Sequence, residues 1–152
     1  MTAEPSTCPS GDEKVVLCGL LLQTNARLAR SLGLELETEC GLSLAWFEVL
    51  LQLRTSAEGH LKMSEIAAAI VHSTGGTTRL IDRIEEAGLV ARGLCPTDRR
   101  AVHVAITDQG NARLDEALSV HLHYLDDRLA TRLSDDERAE LTRLLTKLNE
   151  PV

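Results

Sequence analysis

The chain has 152 residues and a net charge of −7, with 43% hydrophobic and only 2% aromatic residues. That length fits one compact domain or two small lobes sharing a core, and the apolar content excludes general disorder. Trp46, Phe47 and Tyr124 are the only aromatic residues, so the core must be built from Leu, Ala, Val and Ile, and the stacking platforms that single-stranded nucleic acid needs are missing.

Residues 1–11 are rich in Pro, Ser, Thr and Gly and read as a flexible N-terminal arm. A long helix is predicted from about residue 12 to about residue 39, with Leu17, Leu21, Leu28 and Leu32 on one stripe. Gly33 falls inside it at a cost of about 1 kcal/mol relative to alanine, which marks a place for the helix to bend or end. Gly41 and Ser43 supply a stop and a new N-cap. The following helix, about 44–57, carries Phe47, Leu50, Leu51 and Arg54 at helical spacing. Residues 63–70 form a short Ala-rich helix, and 71–76 interrupt it. The next helix covers about 75–87, with Leu80, Ile81 and Ile84 inward and Gly88 as its stop.

After Gly88 the apolar period changes from 3.6 to 2. Residues 89–94 and 102–106 are predicted as two strands, joined by a polar loop, 95–101, that Pro96 opens. Thr107 caps a helix whose Leu114, Leu118, Leu122, Leu125 and Leu129 recur at intervals of 4, 4, 3 and 4. Ser134 and Glu137 form a capping box before a last helix striped by Leu141, Leu144, Leu145 and Leu148.

The fold class read from this order is mainly α with a small β-hairpin wing. Two short helices joined by a tight turn and followed at once by a hairpin define a winged helix-turn-helix lobe, here 43–110. The leucine stripes at 12–42 and 111–152 are too long to be satisfied within so small a lobe, and these helices are expected to dimerise with a second copy.

A recognition helix needs small or polar residues at its N-terminus, where backbone N–H groups and the helix dipole favour phosphate. Ser73, Thr74, Gly75, Gly76, Thr77 and Thr78 meet that need, and Arg79 follows as a reader of guanine or a phosphate clamp. The simpler alternative is that Ser73 and Thr74 only cap the helix and Arg79 is solvated. Lys62, Arg83 and Arg92 could flank the site as phosphate contacts, although Arg83 could equally pair with Asp82 or Glu86. Residues 60–110 hold six Lys or Arg and six Asp or Glu. The acidity therefore lies in the flanks, which is compatible with local phosphate contact.

Three stretches, LKMSEIAAAI, TGGTTRLIDRIEEAGLVAR and PTDRRAVHVAITDQG, resemble the multiple antibiotic resistance regulator (MarR) family of winged helix-turn-helix transcription regulators. The last is the most specific: an Asp-x-Arg wing tip, a strand, then Thr-Asp-x-Gly opening a helix. The resemblance implies a triangular homodimer straddling double-stranded DNA over a pseudo-palindromic operator. It also implies that Arg100 enters the minor groove, with Asp98 steering it and Arg99 beside it. A surface turn in which Asp98 and Arg99 pair in solvent is the plainer reading.

The family further implies release from DNA by a small anionic or aromatic effector. Arg27, Arg30, Trp46, Phe47 and His60 are the residue types such a pocket uses, although surface charge and core packing account for them more simply. Cys18 in the first helix raises a thiol-sensing variant, but it lies in an apolar run and the lone tyrosine is far along the chain. Cys40, His60, His72 and His103 raise a zinc-sensing variant without metal-ligand spacing, and His121 and His123, two apart, point to different helix faces. No cofactor, metal or enzyme motif is expected. The four cysteines lack CxxC spacing and no signal peptide is visible, which reads as cytoplasmic, and the apolar run 15–22 is too short to span a membrane. A winged-helix module that binds protein rather than DNA is the competing class.

Overall fold

The computed structural model describes residues 11–70, 76–94 and 102–150. Helix α1 (Glu13–Cys40) starts at Asp12, whose side chain accepts from the Lys14 N–H. It runs straight through Gly33, where an added Cβ would meet only Leu44 Cβ at 3.7 Å. The expected break there does not occur; the helix ends instead at Gly41, which takes φ 62° and donates back to Glu37 O. Helix α2 (Leu44–Thr55) is capped by Ser43 and is two residues shorter than predicted. Ser56 ends it by returning its hydroxyl to Leu53 O.

Strand β1 (His60–Lys62) leads into α3 (Met63–Ala69), and α4 (Thr77–Glu86) follows. Strands β2 (Val90–Leu94) and β3 (Val102–Ile106) form the predicted hairpin. The sheet has three strands, however, in the order β1-β3-β2. β1 was not anticipated: three residues are too few to display a period-2 pattern, and only pairing with β3 (His60↔Ala105, Lys62↔His103) makes them a strand. Helix α5 (Asp108–Leu125) continues as a π-helical turn, Asp126–Ala130, before α6 (Asp135–Asn149). Leu129 lies in that turn, so the predicted leucine stripe loses its helical register there. The Ser134–Glu137 capping box forms as predicted.

The core lies where α1, α2 and α5 meet the sheet and the two short helices. Leu36, Leu50, Leu53, Ile66, Ile81, Ile84, Val104 and Leu114 are fully buried in it, and Phe47 is buried with Trp46 packed at its edge. Cross-links tie the layers together. Arg54 of α2 pairs with Asp115 of α5, and Arg113 donates to Cys40 O, an orphan carbonyl at the end of α1. Tyr124 closes α5 against α1, its hydroxyl 2.5 Å from Ser31 Oγ and 3.2 Å from Leu28 O.

The two ends of the chain lack such support. Leu17 is 54% and Leu148 66% exposed, and Val15, Leu20, Leu141 and Leu144 are exposed with them. Every described residue of α6 beyond Arg138 is exposed. Cys18 sits among these and is exposed, not the core thiol its apolar neighbours suggest.

Candidate nucleic-acid interface

Helices α3 and α4 stand side by side, with Ile66 and Ile81 buried on their inner faces. Lys62 is exposed at the start of α3, its backbone N–H held by Glu65 Oε2 at 2.6 Å, so its amino group is left toward solvent. Gly76 precedes α4 with φ 78°, a left-handed conformation that disfavours any side chain. Helix α4 is sharply two-faced. Leu80, Ile81 and Ile84 face the core, whereas Thr78, Arg79, Arg83 and Glu86 are exposed and Thr77 is half-buried. Arg79 and Arg83, one turn apart, share the outer face, and among the described residues neither has an ion-pair partner. Of the predicted site, Lys62, Gly76, Thr77, Thr78 and Arg79 are thus described, on the outer side of the helix pair. Ser73, Thr74, Gly75, Asp98, Arg99 and Arg100 lie outside the described residues, as does His72.

Arg92 is not a free phosphate contact. Its side chain is only 24% exposed and reaches from β2 to α4. There Nη2 donates to Asp82 Oδ1 at 2.6 Å and Nη1 to Glu85 Oε2. Its backbone N–H also donates to Glu85 Oε1 at 2.9 Å. That backbone bond, followed by the guanidinium, holds the Glu85 carboxyl below the usual carboxylate range. Partial burial works against the Arg92 charge, yet the two carboxylates outweigh it and its pKa stands above the ordinary arginine value. Asp82 is taken by Arg92, and neither pairing considered for Arg83, with Asp82 or with Glu86, forms among the described residues. Asp82 and Glu85, three apart on one helix face, were legible as a pair; their partner ten and seven residues on was not.

His60 and His103 stack across β1 and β3 with ring centroids 4.3 Å apart. His60 also contacts Glu58 through both ring nitrogens, at 3.0 and 3.1 Å. Cys40 does not join them, since its thiol donates to Leu36 O at 3.0 Å. Among the described residues no group of three or more His, Cys, Asp or Glu is arranged to hold a metal ion. His121 packs on Phe47 at 5.0 Å while His123 is exposed, on different faces as predicted.

Arg27 and Arg30 line an open cleft of about 490 Å³ with Gln23, Ser31, Leu34 and Arg128. Trp46, Phe47 and His60 line other parts of the molecule, so the five residue types considered for an effector do not converge. Tyr124 is committed to Ser31 and Leu28, about three helical turns along α1 from Cys18, and does not serve its thiol. Among the described residues no helix is long and apolar enough to cross a membrane.

A MarR family model matches residues 41–101. YkoM of Bacillus subtilis, an uncharacterized HTH-type transcriptional regulator, is 34% identical over 109 residues, which cover 72% of this chain and 69% of YkoM. The transcriptional repressor MprA of Escherichia coli K12 is 26% identical over 141 residues, covering 91% and 80%. Among solved structures, a cysteine-to-serine variant of E. coli MarR complexed with operator DNA superposes with a TM-score of 0.78 at 28% identity. That alignment covers 95% of this chain and all of the other.

Proposed function

Because the chain belongs to the MarR family of transcription regulators, we propose that it is a sequence-specific repressor that binds a pseudo-palindromic DNA operator as a homodimer and releases it on binding a small effector. The observation that carries this reading is the α3–α4 pair, which among the described residues offers an uncommitted polar face beside the β2–β3 hairpin strands.

Entering the major groove by its N-terminal end, α4 presents Gly76, Thr77, Thr78 and Arg79 to base edges and phosphates, together with Ser73, Thr74 and Gly75 before them. Lys62 adds a phosphate contact from the start of α3. The wing tip carries Arg100 into the adjacent minor groove, with Asp98 and Arg99 supporting it. Two copies are needed because the first half of α1 and nearly all of α6 have apolar residues that nothing among the described residues of one chain covers. A two-fold dimer then reads two half-sites about one helical turn apart. The effector part of the reading falls on the cleft of Arg27, Arg30 and Arg128, where three guanidinium groups suit a small anion and Leu34 gives it an apolar wall. The protein thus acts by binding in the cytoplasm rather than by catalysis.

The test is selection from a random duplex pool by the purified protein, followed by titration of enriched duplexes at several salt concentrations. A palindromic consensus bound with steep salt dependence is the expected result. No enrichment, or binding indifferent to salt, would replace the proposal with a protein-interaction module.

A further inference from the structure

We infer that Arg92 is a positioning residue: by clamping Asp82 and Glu85 it sets the angle between recognition helix α4 and the wing, and operator affinity depends on it through geometry rather than through phosphate contact. The inference rests on the DNA-binding function proposed above.

Helix α4 and strand β2 follow one another through a tight turn at Gly88 (φ 75°), where Leu89 N–H returns to Ile84 O. That turn, with Thr107 donating to Gly88 O and Leu89 O, fixes where the strand begins. Two residues beyond the start of β2, Arg92 ties the strand directly to α4 with three hydrogen bonds, one from its backbone and two from its guanidinium. Its neighbour across the sheet is Val104 of β3, fully buried. The clamp therefore holds the whole hairpin through β2 and β3. An operator that receives α4 in the major groove and the wing in the minor groove requires both at one fixed separation. Small misplacements lose one contact set whenever the other is made. A lysine, with one point charge and no planar fork, cannot hold both carboxylates and serve this geometry.

The charges make the inference separable from direct contact. If Asp82 and Glu85 were bystanders near the DNA, neutralising them would remove repulsion and strengthen binding to every duplex. If they position the wing, Glu85→Gln and Asp82→Asn weaken operator binding despite the lost negative charge.

The experiment measures binding of wild type, Arg92→Met, Arg92→Lys, Glu85→Gln and Asp82→Asn to a duplex selected by the wild type and to a scrambled duplex, over a salt series. The expected result is an operator affinity about tenfold lower for each variant, the size of coupling within one ion-pair network. Affinity for the scrambled duplex should be unchanged for the Arg92→Lys variant and equal or higher for the two carboxylate variants. The Arg92→Met and Glu85→Gln effects should be less than additive in the double variant. All measurements are made below the melting temperature of the weakest variant, and the scrambled duplex reports that each is folded. Operator binding by Glu85→Gln as tight as wild type, or a full rescue by Arg92→Lys, overturns the inference while leaving DNA binding intact. Failure of the wild type to select any duplex overturns both.

Discussion

Gly110 of α5 passes so close to Leu89 that an added Cβ would stand 2.0 Å from the Leu89 carbonyl oxygen and 2.8 Å from Ile106 Cγ1. The same point is tied by Thr107, which donates from its backbone to Leu89 O and from its hydroxyl to Gly88 O, and accepts from Gly110 N–H. One threonine thus joins the end of the recognition helix turn, the start of the wing and the first turn of α5. The Thr-Asp-x-Gly motif is a joint between the helix-turn-helix lobe and α5.

Gly110→Ala should accordingly lower stability by about 3 kcal/mol, at the upper end of overpacking costs, because backbone must move to admit the methyl. Gly33→Ala is the control, since its Cβ meets only Leu44 Cβ at ordinary contact distance; it should gain about 0.5–1 kcal/mol from helix propensity. Urea unfolding at one fixed protein concentration measures both. A Gly110→Ala protein as stable as wild type would mean the close approach does not exist in solution.

The exposed leucines of α6 make a second expectation. Replacing Leu144 and Leu148 together by Glu puts charge into the surface we assign to the partner copy, where unpaired charge is costly. Sedimentation equilibrium should change from a dimer to a monomer or to unfolded chain. A variant that still sediments as a stable dimer would move the interface elsewhere.

His121 gives stability a pH dependence. Burial against Phe47 holds its pKa below the ordinary value of 6.5, so at lower pH the unfolded chain binds a proton that the folded chain resists. Its contribution is complete above about 6.5 and is lost as pH falls from there toward the lowered folded value. Comparing wild type with His121→Leu by thermal unfolding from about pH 7.5 down through the acid side of the ordinary histidine value isolates the effect from the other histidines. The wild type should lose more stability on acidification than the variant, and parallel curves would contradict the assignment.

On the DNA face, Arg100→Ala and Arg79→Ala should each weaken operator binding at least about tenfold, the lower range for a lost specific contact, without lowering the melting temperature. Fluorescence anisotropy with a selected duplex reads the first and thermal unfolding the second. Unchanged affinity for Arg100→Ala would remove the wing from the interface.

Much of this was readable in advance. Ser43, Thr107 and Ser134 all cap the helices they were expected to cap, since a capping hydroxyl acts within three residues of chain. The two-faced pattern of Leu80, Ile81 and Ile84 against Thr78 and Arg79 likewise needs only the helical repeat. Arg92 was misread as a phosphate contact because its partners are seven and ten residues away and become neighbours only when the chain turns at Gly88. β1 was missed because its bonds all go to β3, more than forty residues on in sequence.

Local spacing therefore determined the helices, their caps, the wing and the family motif, all set by interactions within a few residues. The third strand, the Arg92 clamp and the Thr107–Gly110 joint were decided by tertiary structure alone. In each the deciding contact joins residues whose proximity depends on how the elements pack, which no short-range pattern encodes.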